Sequence, residues 1–369
     1  MKFCKNCVLP NTKPGIIFDS EGVCSACRSV EKKHCIDWEK RSENLHKICD
    51  KIRGSNGNGY DCLVPVSGGK DSTYQLYVMK EVYKLKVLAV NVVAHLQTIE
   101  GIENLNSAID NLGIDLIKIN VRPSTHQKIR KTAFFNIGNP NYAEHRVVFS
   151  AVARTALFYN TPLVVWGEDI GTEFGGNISE SVSSGSAEDL INNDLFRELN
   201  FYKLIDGIIK PNEIFFYHHP EIEEIKKRNV KSIYLGYFNW WDGYKHKLVS
   251  KNFGFRGRDL GPLSGNIINY DNIDEKLCEV HKWIQFLKFG FWRPHDEASY
   301  LIWNGYITRE EGVKRVNAVQ YEFPEEYLKE FLEYHQIKEK DFWPALEKWR
   351  NREIWHKVND KWILKYKLL

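Results

Sequence analysis

The sequence has little of several features that mark particular classes of protein. It contains no run of about 18 apolar residues, so it predicts no membrane-spanning helix. Its first residues lack the apolar core of a secretory signal, and we therefore expect a cytoplasmic protein. The net charge is only +3 and the pI is 8.2. Dedicated nucleic-acid-binding domains usually have a pI above about 9, so these values do not indicate nucleic acid.

Cysteines are few and unevenly placed. Four of the eight form two Cys-x-x-Cys pairs, Cys4 with Cys7 and Cys24 with Cys27. This spacing in a short segment predicts a zinc ribbon, in which four thiolates hold one structural Zn²⁺ ion. The other four cysteines form no further pair, which argues against a sulfur-transferring enzyme with a catalytic disulfide.

The length of 369 residues is too great for one compact core. We predict a zinc ribbon at 1–35, a linking helix and loop at 36–59, an α/β domain at 60–245 and a mainly helical region at 246–369. In that last region the apolar pattern predicts helices at 273–289, 308–317, 325–334 and 341–352.

Four short apolar runs alternate with helical segments in the α/β domain. They occupy residues 63–66, 87–93, 115–121 and 163–166. Alternation of this kind predicts a parallel, doubly wound sheet. Ligands of such sheets bind beyond the carboxyl ends of the strands, so the residues that follow each run are the candidates for a site.

A glycine turn follows the first apolar run and leads into a helix. Two glycines let the backbone approach an anion, and N–H groups of the first helical turn point toward it. Lys70 adds a positive charge. The pattern is not a Walker A loop, because Asp71 follows the lysine and no glycine lies five residues before Gly69. The predicted nucleotide-binding residues are Ser67, Gly68, Gly69, Lys70, Asp71, Ser72 and Thr73 in the loop, with Asn91 and Gly167 after neighbouring strands.

The loop Ser-Gly-Gly-Lys-Asp-Ser after a strand resembles the PP-loop of the ATP pyrophosphatases, which have an adenine nucleotide α-hydrolase-like fold. The resemblance implies that ATP is cleaved between its α- and β-phosphates with Mg²⁺ present. It also implies that Ser67, Lys70 and Asp71 are catalytic. We favour an orienting role for Asp71 over a metal-binding one.

The chain as a whole is similar to the N-acetyl sugar amidotransferases of bacterial surface-polysaccharide and flagellar-glycan synthesis. The similarity is carried by the cysteine pairs, the loop, a Gly-Glu strand end with Glu-Phe-Gly-Gly, and later blocks at 253–256, 269–277 and 308–312. It implies a ligase that converts an N-acetyl sugar to an acetamidino sugar, with release of AMP and pyrophosphate. It also implies two partners, a glutaminase and a barrel that conducts ammonia, although the sequence equally allows free ammonia.

A glycine-rich acidic segment follows the fourth apolar run. We expect Glu168, Glu173 and Asn177 in this segment to contact the sugar, and Arg256 to contact a carrier phosphate or a sugar carboxylate. The segment is also compatible with Mg²⁺ binding or with an acidic solvated loop. Two other functional classes stay open: a PP-loop tRNA-modifying enzyme and a non-catalytic scaffold.

Overall fold

Five parallel strands form the central sheet. The computed structural model describes residues 1–169, 173 and 201–369. The strands are β1 (Cys62–Pro65), β2 (Val87–Val92), β3 (Asp115–Ile119), β4 (Leu163–Trp166) and β5 (Lys231–Tyr234). Their order is β3-β2-β1-β4-β5, and every neighbouring pair is parallel. The chain therefore winds first to one side of β1 and then to the other, which confirms the predicted doubly wound sheet.

Helices cover both faces of this sheet. Cys62 and Val64 join an apolar cluster on one face, whereas Leu63 between them joins a second cluster on the other. This alternation follows from the two-residue period of a strand. Among the described residues, the α-helices up to the end of the α/β region are α1 (Ser25–Lys33), α2 (Trp38–Ile52), α3 (Lys70–Tyr77), α4 (Ile99–Leu112), α5 (Pro123–Ile137), α6 (Tyr142–Phe158), α7 (Phe201–Ile205), α8 (Ile222–Lys227), α9 (Leu235–Phe238) and α10 (Gly243–Ser250). A π-helical turn, Val78–Val82, continues α3.

The C-terminal region is mainly helical, as predicted, and ends in a hairpin. Its elements are α11 (Cys278–Phe289), α12 (Arg293–Trp303), α13 (Arg309–Val319), α14 (Leu328–His335), α15 (Glu339–Lys348) and the antiparallel pair β6 (Trp355–Val358) and β7 (Lys361–Leu364). Thr308 caps α13 by accepting a hydrogen bond from the Glu311 amide at 3.2 Å. The prediction of a helix from residue 273 was wrong at its start, because α11 begins only at Cys278.

The N-terminal segment packs on the C-terminal region. Its four paired cysteines form an apolar cluster with Phe291, and Trp303 lies against that cluster. Arg309 donates hydrogen bonds from its guanidinium group to the carbonyl oxygens of Cys4 and Cys7. Of the helices in the described part of the chain, none combines the length and apolar character that a bilayer crossing requires.

Candidate active site

The predicted phosphate loop lies at the carboxyl end of the central strand. β1 ends at Pro65 and α3 begins at Lys70, so the turn between them sits between β2 and β4, where the winding of the sheet reverses. Gly68 has φ +98°, and a Cβ there would lie 2.2 Å from the carbonyl oxygen of Gly101. Only glycine therefore fits between the loop and the first turn of α4.

The hydroxyl groups of the loop hold the loop itself. Ser72 and Thr73 each donate a hydrogen bond to the carbonyl oxygen of Gly69, both at 3.1 Å. The amide of Gly69 donates to the Ser67 hydroxyl oxygen at 3.3 Å. The N-cap residue of α3 is Gly69, which has no side chain to cap the first turn, so the cradle presents backbone N–H groups.

Lys70 is buried between two carboxylates. Its ammonium nitrogen lies 2.8 Å from Oδ2 of Asp71 and 2.7 Å from Oδ1 of Asp271. Burial lowers the pKa of Lys70, but the charges of Asp271 and Asp71 outweigh it and raise that pKa well above its usual value. Burial likewise raises the pKa of Asp71, yet Lys70 and then His246 hold it well below its usual range. The loop thus contains a charged lysine that is already neutralised by two acids.

Three further residues fix these charges in place. His246 contacts Oδ1 of Asp71 through its Nδ1 at 2.7 Å. Arg258 donates hydrogen bonds to the carbonyl oxygens of Asp271 and Asn272, at 3.0 and 2.6 Å. Arg293 approaches the other oxygen of Asp271 at 3.7 Å. These side chains come from α10, the C-terminal region and α12, and the sequence did not predict any of them at the Lys70 site.

The polar segment that carries Asp271 is held over the loop by backbone contacts. The carbonyl oxygen of Asp274 accepts a hydrogen bond from the Thr98 amide at 3.2 Å, and Glu275 forms an isolated β-bridge with Gln97. A Cβ on Gly101 would lie 2.6 Å from the Cα of Asp274, so the backbones are in direct contact. Residues 269–277 are part of the family resemblance, but the sequence did not predict that Asp271 contacts the phosphate loop.

The loop opens into two adjoining cavities. A pocket of about 230 Å³ lies against Ser67, Gly69, Ser72 and Asp274. A larger cavity of about 820 Å³ continues from it toward α11 and α12. Sites for small ligands and cofactors measure about 300–1,000 Å³, so the larger cavity has the size of a binding site. Both spaces are lined by Lys70, Asp71, Glu168, Tyr270 and Asp271.

The predicted residues after the other strands lie in different settings. Glu168 lines both cavities, and burial followed by the charge of Asp71 raises its pKa. Gly167 is packed so closely that a Cβ would lie 2.8 Å from the Gln75 amide nitrogen. Asn91 is buried and donates a hydrogen bond to the Val66 carbonyl oxygen at 2.7 Å. Asn91 therefore supports the loop from below.

The residues that were predicted to contact the sugar do not all line the cavities. Glu173 lines the larger cavity, where its carboxylate forms a buried ion pair with Lys33 of α1. Arg256 is 45% exposed and pairs with Glu103 and Asp259, and it lines neither cavity. Asn177 lies outside the described residues. The roles of these residues stay predictions.

The four paired cysteines converge on one point. Their sulfur atoms all lie within 4.8 Å of one another and all four residues are buried. The Sγ atoms of Cys4 and Cys27 are 3.8 Å apart, and those of Cys7 and Cys24 are 3.7 Å apart. These separations are far longer than a disulfide bond of about 2.05 Å. Four sulfurs at Zn–S distances of about 2.3 Å would be separated by roughly 3.8 Å, so the arrangement fits a single tetrahedral ion.

The C-terminal part of the chain matches a known family. Residues 251–369 match the family described as "LPS biosynthesis protein WbpG-like, C-terminal domain". This match agrees with the resemblance to enzymes of bacterial surface-polysaccharide synthesis and confirms it. A segment of 118 residues is 30% identical to the uncharacterized protein MJ1599 of Methanocaldococcus jannaschii. That segment covers 32% of this chain and 42% of MJ1599.

Solved structures of low similarity were also found. The NH3-dependent NAD synthetase from Campylobacter jejuni is 18% identical, with a TM-score of 0.30, over 50% of this chain and 99% of that one. The U34-tRNA thiolase NcsA from Methanococcus maripaludis, which carries a [4Fe-4S] cluster, is 15% identical, with a TM-score of 0.33. It aligns over 83% of this chain and 87% of its own.

Proposed function

We propose that this chain is an ATP-dependent amidotransferase of glycan synthesis that converts an N-acetyl sugar to an acetamidino sugar. One observation carries the proposal. The segment that matches the WbpG-like family supplies the wall of the cavity that faces the phosphate loop, through Tyr270, Asp271, Arg293 and Tyr300. The phosphate loop and the segment that matches the WbpG-like family therefore enclose the same space.

The reaction explains the use of ATP. The amide oxygen of the N-acetyl group attacks the α-phosphorus of ATP, a P–O bond forms, and pyrophosphate leaves. Ammonia then adds to the activated carbon, its nitrogen keeps one hydrogen in the neutral acetamidino product, and the C–O bond breaks to release AMP. The acetyl oxygen leaves with AMP and a nitrogen takes its place, so the atoms balance. An amide is a poor electrophile, and adenylylation turns its oxygen into a leaving group.

Residues in and around the loop have specific roles in this reaction. The backbone N–H groups at the start of α3 would bind the departing pyrophosphate, and Lys70 would donate to it the one N–H that Asp71 and Asp271 leave available. Because Lys70 is held by Asp71 and Asp271, it is pre-positioned at the loop before any substrate binds. His246 would keep the Asp71 carboxylate in its orientation.

The same acids fit a magnesium ion. Asp71, Glu168 and Asp271 line both cavities, and carboxylate oxygens are ligands that Mg²⁺ prefers. A bound Mg²⁺ ion would supply additional charge stabilisation for the phosphates.

The ammonia is expected to come from outside the chain. Burial raises the pKa of the Cys49 and Cys278 thiols to about 12, and it also raises that of Cys62. Such thiols are poor nucleophiles at neutral pH, so these three cysteines do not suit a glutaminase. The partners that we propose are a separate glutaminase and an ammonia-conducting barrel, and free ammonia would serve in their absence.

The cysteine cluster is proposed to hold structural Zn²⁺. Its four thiolates leave no open coordination position, so the ion would stabilise the ribbon and take no part in the reaction. The Trp303 ring nitrogen donates a hydrogen bond to the Cys27 sulfur at 3.2 Å, which is the kind of outer contact that orients a metal ligand.

The test is a search for acceptor-dependent AMP formation. The protein is incubated with ATP, Mg²⁺, ammonium and a panel of N-acetyl sugars, free and carrier-linked. We expect AMP and pyrophosphate only with a suitable acceptor, and a product about one mass unit lighter because oxygen is replaced by NH. Reactions without ammonium are the control for the product. Release of ADP, or stimulation of AMP formation by tRNA and not by sugars, would contradict the proposal and favour the alternatives.

A further inference from the structure

Glu297 is a buried acid in the wall of the larger cavity, and the mechanism above does not use it. Its side chain is only 4% exposed. One carboxyl oxygen, Oε2, accepts a hydrogen bond from the Ile267 amide at 2.6 Å. The other, Oε1, has no hydrogen-bond partner among the residues that the structure describes. Buried polar atoms in native proteins nearly always have a partner, so an unpartnered acid oxygen in a cavity wall indicates that a ligand completes the hydrogen bonding.

Glu297 lies in the middle of one face of α12. Arg293 precedes it by four residues and Tyr300 follows it by three, and all three line the larger cavity. Residues at these spacings are neighbours on a helix surface. The position of Glu297 therefore follows from the contacts that its two neighbours make.

The two neighbours both contact the surroundings of Lys70. Arg293 approaches the carboxylate of Asp271 at 3.7 Å, and the same carboxylate pairs with Lys70. The hydroxyl group of Tyr300 accepts a hydrogen bond from the Gly243 amide at 2.7 Å. A Cβ on Gly243 would lie 2.7 Å from Cε of Lys70, so this amide is next to the lysine side chain. The middle of the α12 face is therefore held beside the phosphate loop.

The other carboxylates of this cavity already have roles. They contact lysine side chains or are assigned above to Mg²⁺. Glu297 is different because its printed contact is a backbone amide and it forms no ion pair within the described part of the chain. It is therefore the acid of the cavity that is most available to a substrate group.

The surroundings of Glu297 favour exchange of a proton. Burial raises the pKa of Glu297 well above its usual value, and the negative charges of Asp271 and Glu279 add to this effect. The Ile267 amide and the charge of Arg293 oppose it only in part. An ordinary carboxyl group is fully ionised at neutral pH, whereas one with a raised pKa both takes and gives a proton more readily there.

An acetamido group has two polar ends that point in opposite directions. A secondary amide is planar and trans, so its N–H lies on the opposite side from its carbonyl oxygen. An N-acetyl group that directs its oxygen at the nucleotide phosphates on the loop therefore directs its N–H away from them. That N–H requires an acceptor, because a buried donor without a hydrogen bond is unfavourable.

We propose that Oε1 of Glu297 accepts the acetamido N–H and takes its proton in the first step of the reaction. The inference rests on the proposed function, since it names a further catalytic residue for it. As the amide oxygen bonds to the α-phosphorus and pyrophosphate leaves, the N–H bond breaks, its electron pair forms the C=N bond, and the proton passes to Oε1. When ammonia adds, Oε1 returns this proton to the same nitrogen. The two protons that the ammonia nitrogen loses pass to water as AMP leaves.

The experiment measures the first step alone, as exchange of labelled pyrophosphate into ATP without ammonium. The acceptors are N-acetylglucosamine, its 1-phosphate and UDP-N-acetylglucosamine, each beside a counterpart in which a methyl group replaces the acetamido N–H hydrogen. A tertiary amide of this kind keeps its oxygen nucleophile but has no proton to give. Calorimetry with α,β-methylene-ATP shows whether the nucleotide site is intact.

Two variants replace an acid with its amide. Glu297→Gln keeps a carbonyl oxygen that can accept the hydrogen bond from the Ile267 amide, so the packing of α12 is preserved. Glu333→Gln is the matched control, because it makes the same change at a side chain that is 66% exposed on α14. If Glu297→Gln does not fold, the comparison of the two kinds of acceptor in the unaltered protein still decides.

We expect exchange with an N-acetyl acceptor in the unaltered protein and in Glu333→Gln, and a loss of about 100-fold or more in Glu297→Gln at unchanged α,β-methylene-ATP affinity. The N-methylated acceptors should support no exchange. The inference is overturned if Glu297→Gln keeps more than about a tenth of the rate, or if an N-methylated acceptor exchanges as well as its parent. It is also overturned if Glu297→Gln weakens α,β-methylene-ATP binding as much as exchange. Absence of exchange with every acceptor contradicts the proposed function and the inference with it, whereas the other adverse results contradict the inference alone.

Discussion

Replacing Gly68 with alanine should destabilise the protein even though it adds only a methyl group. The residue has φ +98°, and the new Cβ would lie 2.2 Å from the carbonyl oxygen of Gly101. Gly101 has no room to retreat, since its own Cβ position is 2.6 Å from the Cα of Asp274. A left-handed conformation costs a non-glycine residue about 1–2 kcal/mol, and overpacking adds about 1–3 kcal/mol. We therefore expect a loss of about 2–5 kcal/mol in the free energy of unfolding.

Gly69→Ala is the matched control for this prediction. Gly69 has φ −79°, and its Cβ would meet only the Ser67 hydroxyl oxygen at 3.4 Å, an ordinary contact. The free energy of unfolding of Gly69→Ala should fall by less than about 1 kcal/mol. Urea denaturation followed by tryptophan fluorescence measures both variants. If Gly68→Ala is as stable as Gly69→Ala, the close packing of loop, α4 and the Asp274 segment is refuted.

Three further predictions concern the metal site and the lysines. The purified protein should contain about one zinc per chain, and Cys24→Ser should lose it, as elemental analysis will show; iron in place of zinc would contradict this assignment. Lys70→Ala should lower AMP formation by about 100-fold or more. It should also reduce stability in urea, because Asp71 and Asp271 lose the cation they share. Near-full activity of this variant would exclude the role of Lys70 in pyrophosphate release. Burial lowers the pKa of Lys288 to about 8 from 10.5. Between those pH values the unfolded chain holds more protons than the folded chain, so the free energy of unfolding rises with pH. The unfolding free energy of Lys288→Met minus that of the unaltered protein should therefore fall from pH 8 to pH 10.5, and a constant difference would contradict the shift.

The loop and the parallel, doubly wound sheet could be predicted because their signals are local. Ser67 to Thr73 are consecutive, β1, β2 and β4 are mainly apolar runs, and β3 is a short segment in which apolar and charged residues are mixed. The fifth strand, Lys231–Tyr234, was not predicted because it has only four residues and begins with a lysine, so it does not form an apolar run. Its place at the sheet edge beside β4 depends on tertiary pairing, which periodicity does not reveal.

The rest of the site could not be predicted because it is assembled from distant parts of the chain. Asp271 is 201 residues from Lys70, and His246 is 175 residues from Asp71. The predicted helix start at residue 273 was wrong for a related reason. Residues 273–277 keep an apolar pattern, but Glu275 is used in the bridge to Gln97, so α11 starts after them.

One local signal was overlooked. The terminal hairpin turns through Asn359 and Asp360, which have φ +47° and +60°. Two such residues between short apolar segments are typical of a tight hairpin turn. The prediction of a mainly helical region at 246–369 did not include this turn.

The most direct measurement of the central claim follows the acetyl oxygen. An acceptor that supports turnover is prepared with ¹⁸O in its N-acetyl carbonyl group and incubated with ATP, Mg²⁺ and ammonium. If ATP adenylylates that oxygen, the C–O bond breaks in the second step and the label must appear in AMP, one atom for each acetamidino group formed. Label that remains in the sugar, or that is found in water or pyrophosphate, would contradict the mechanism.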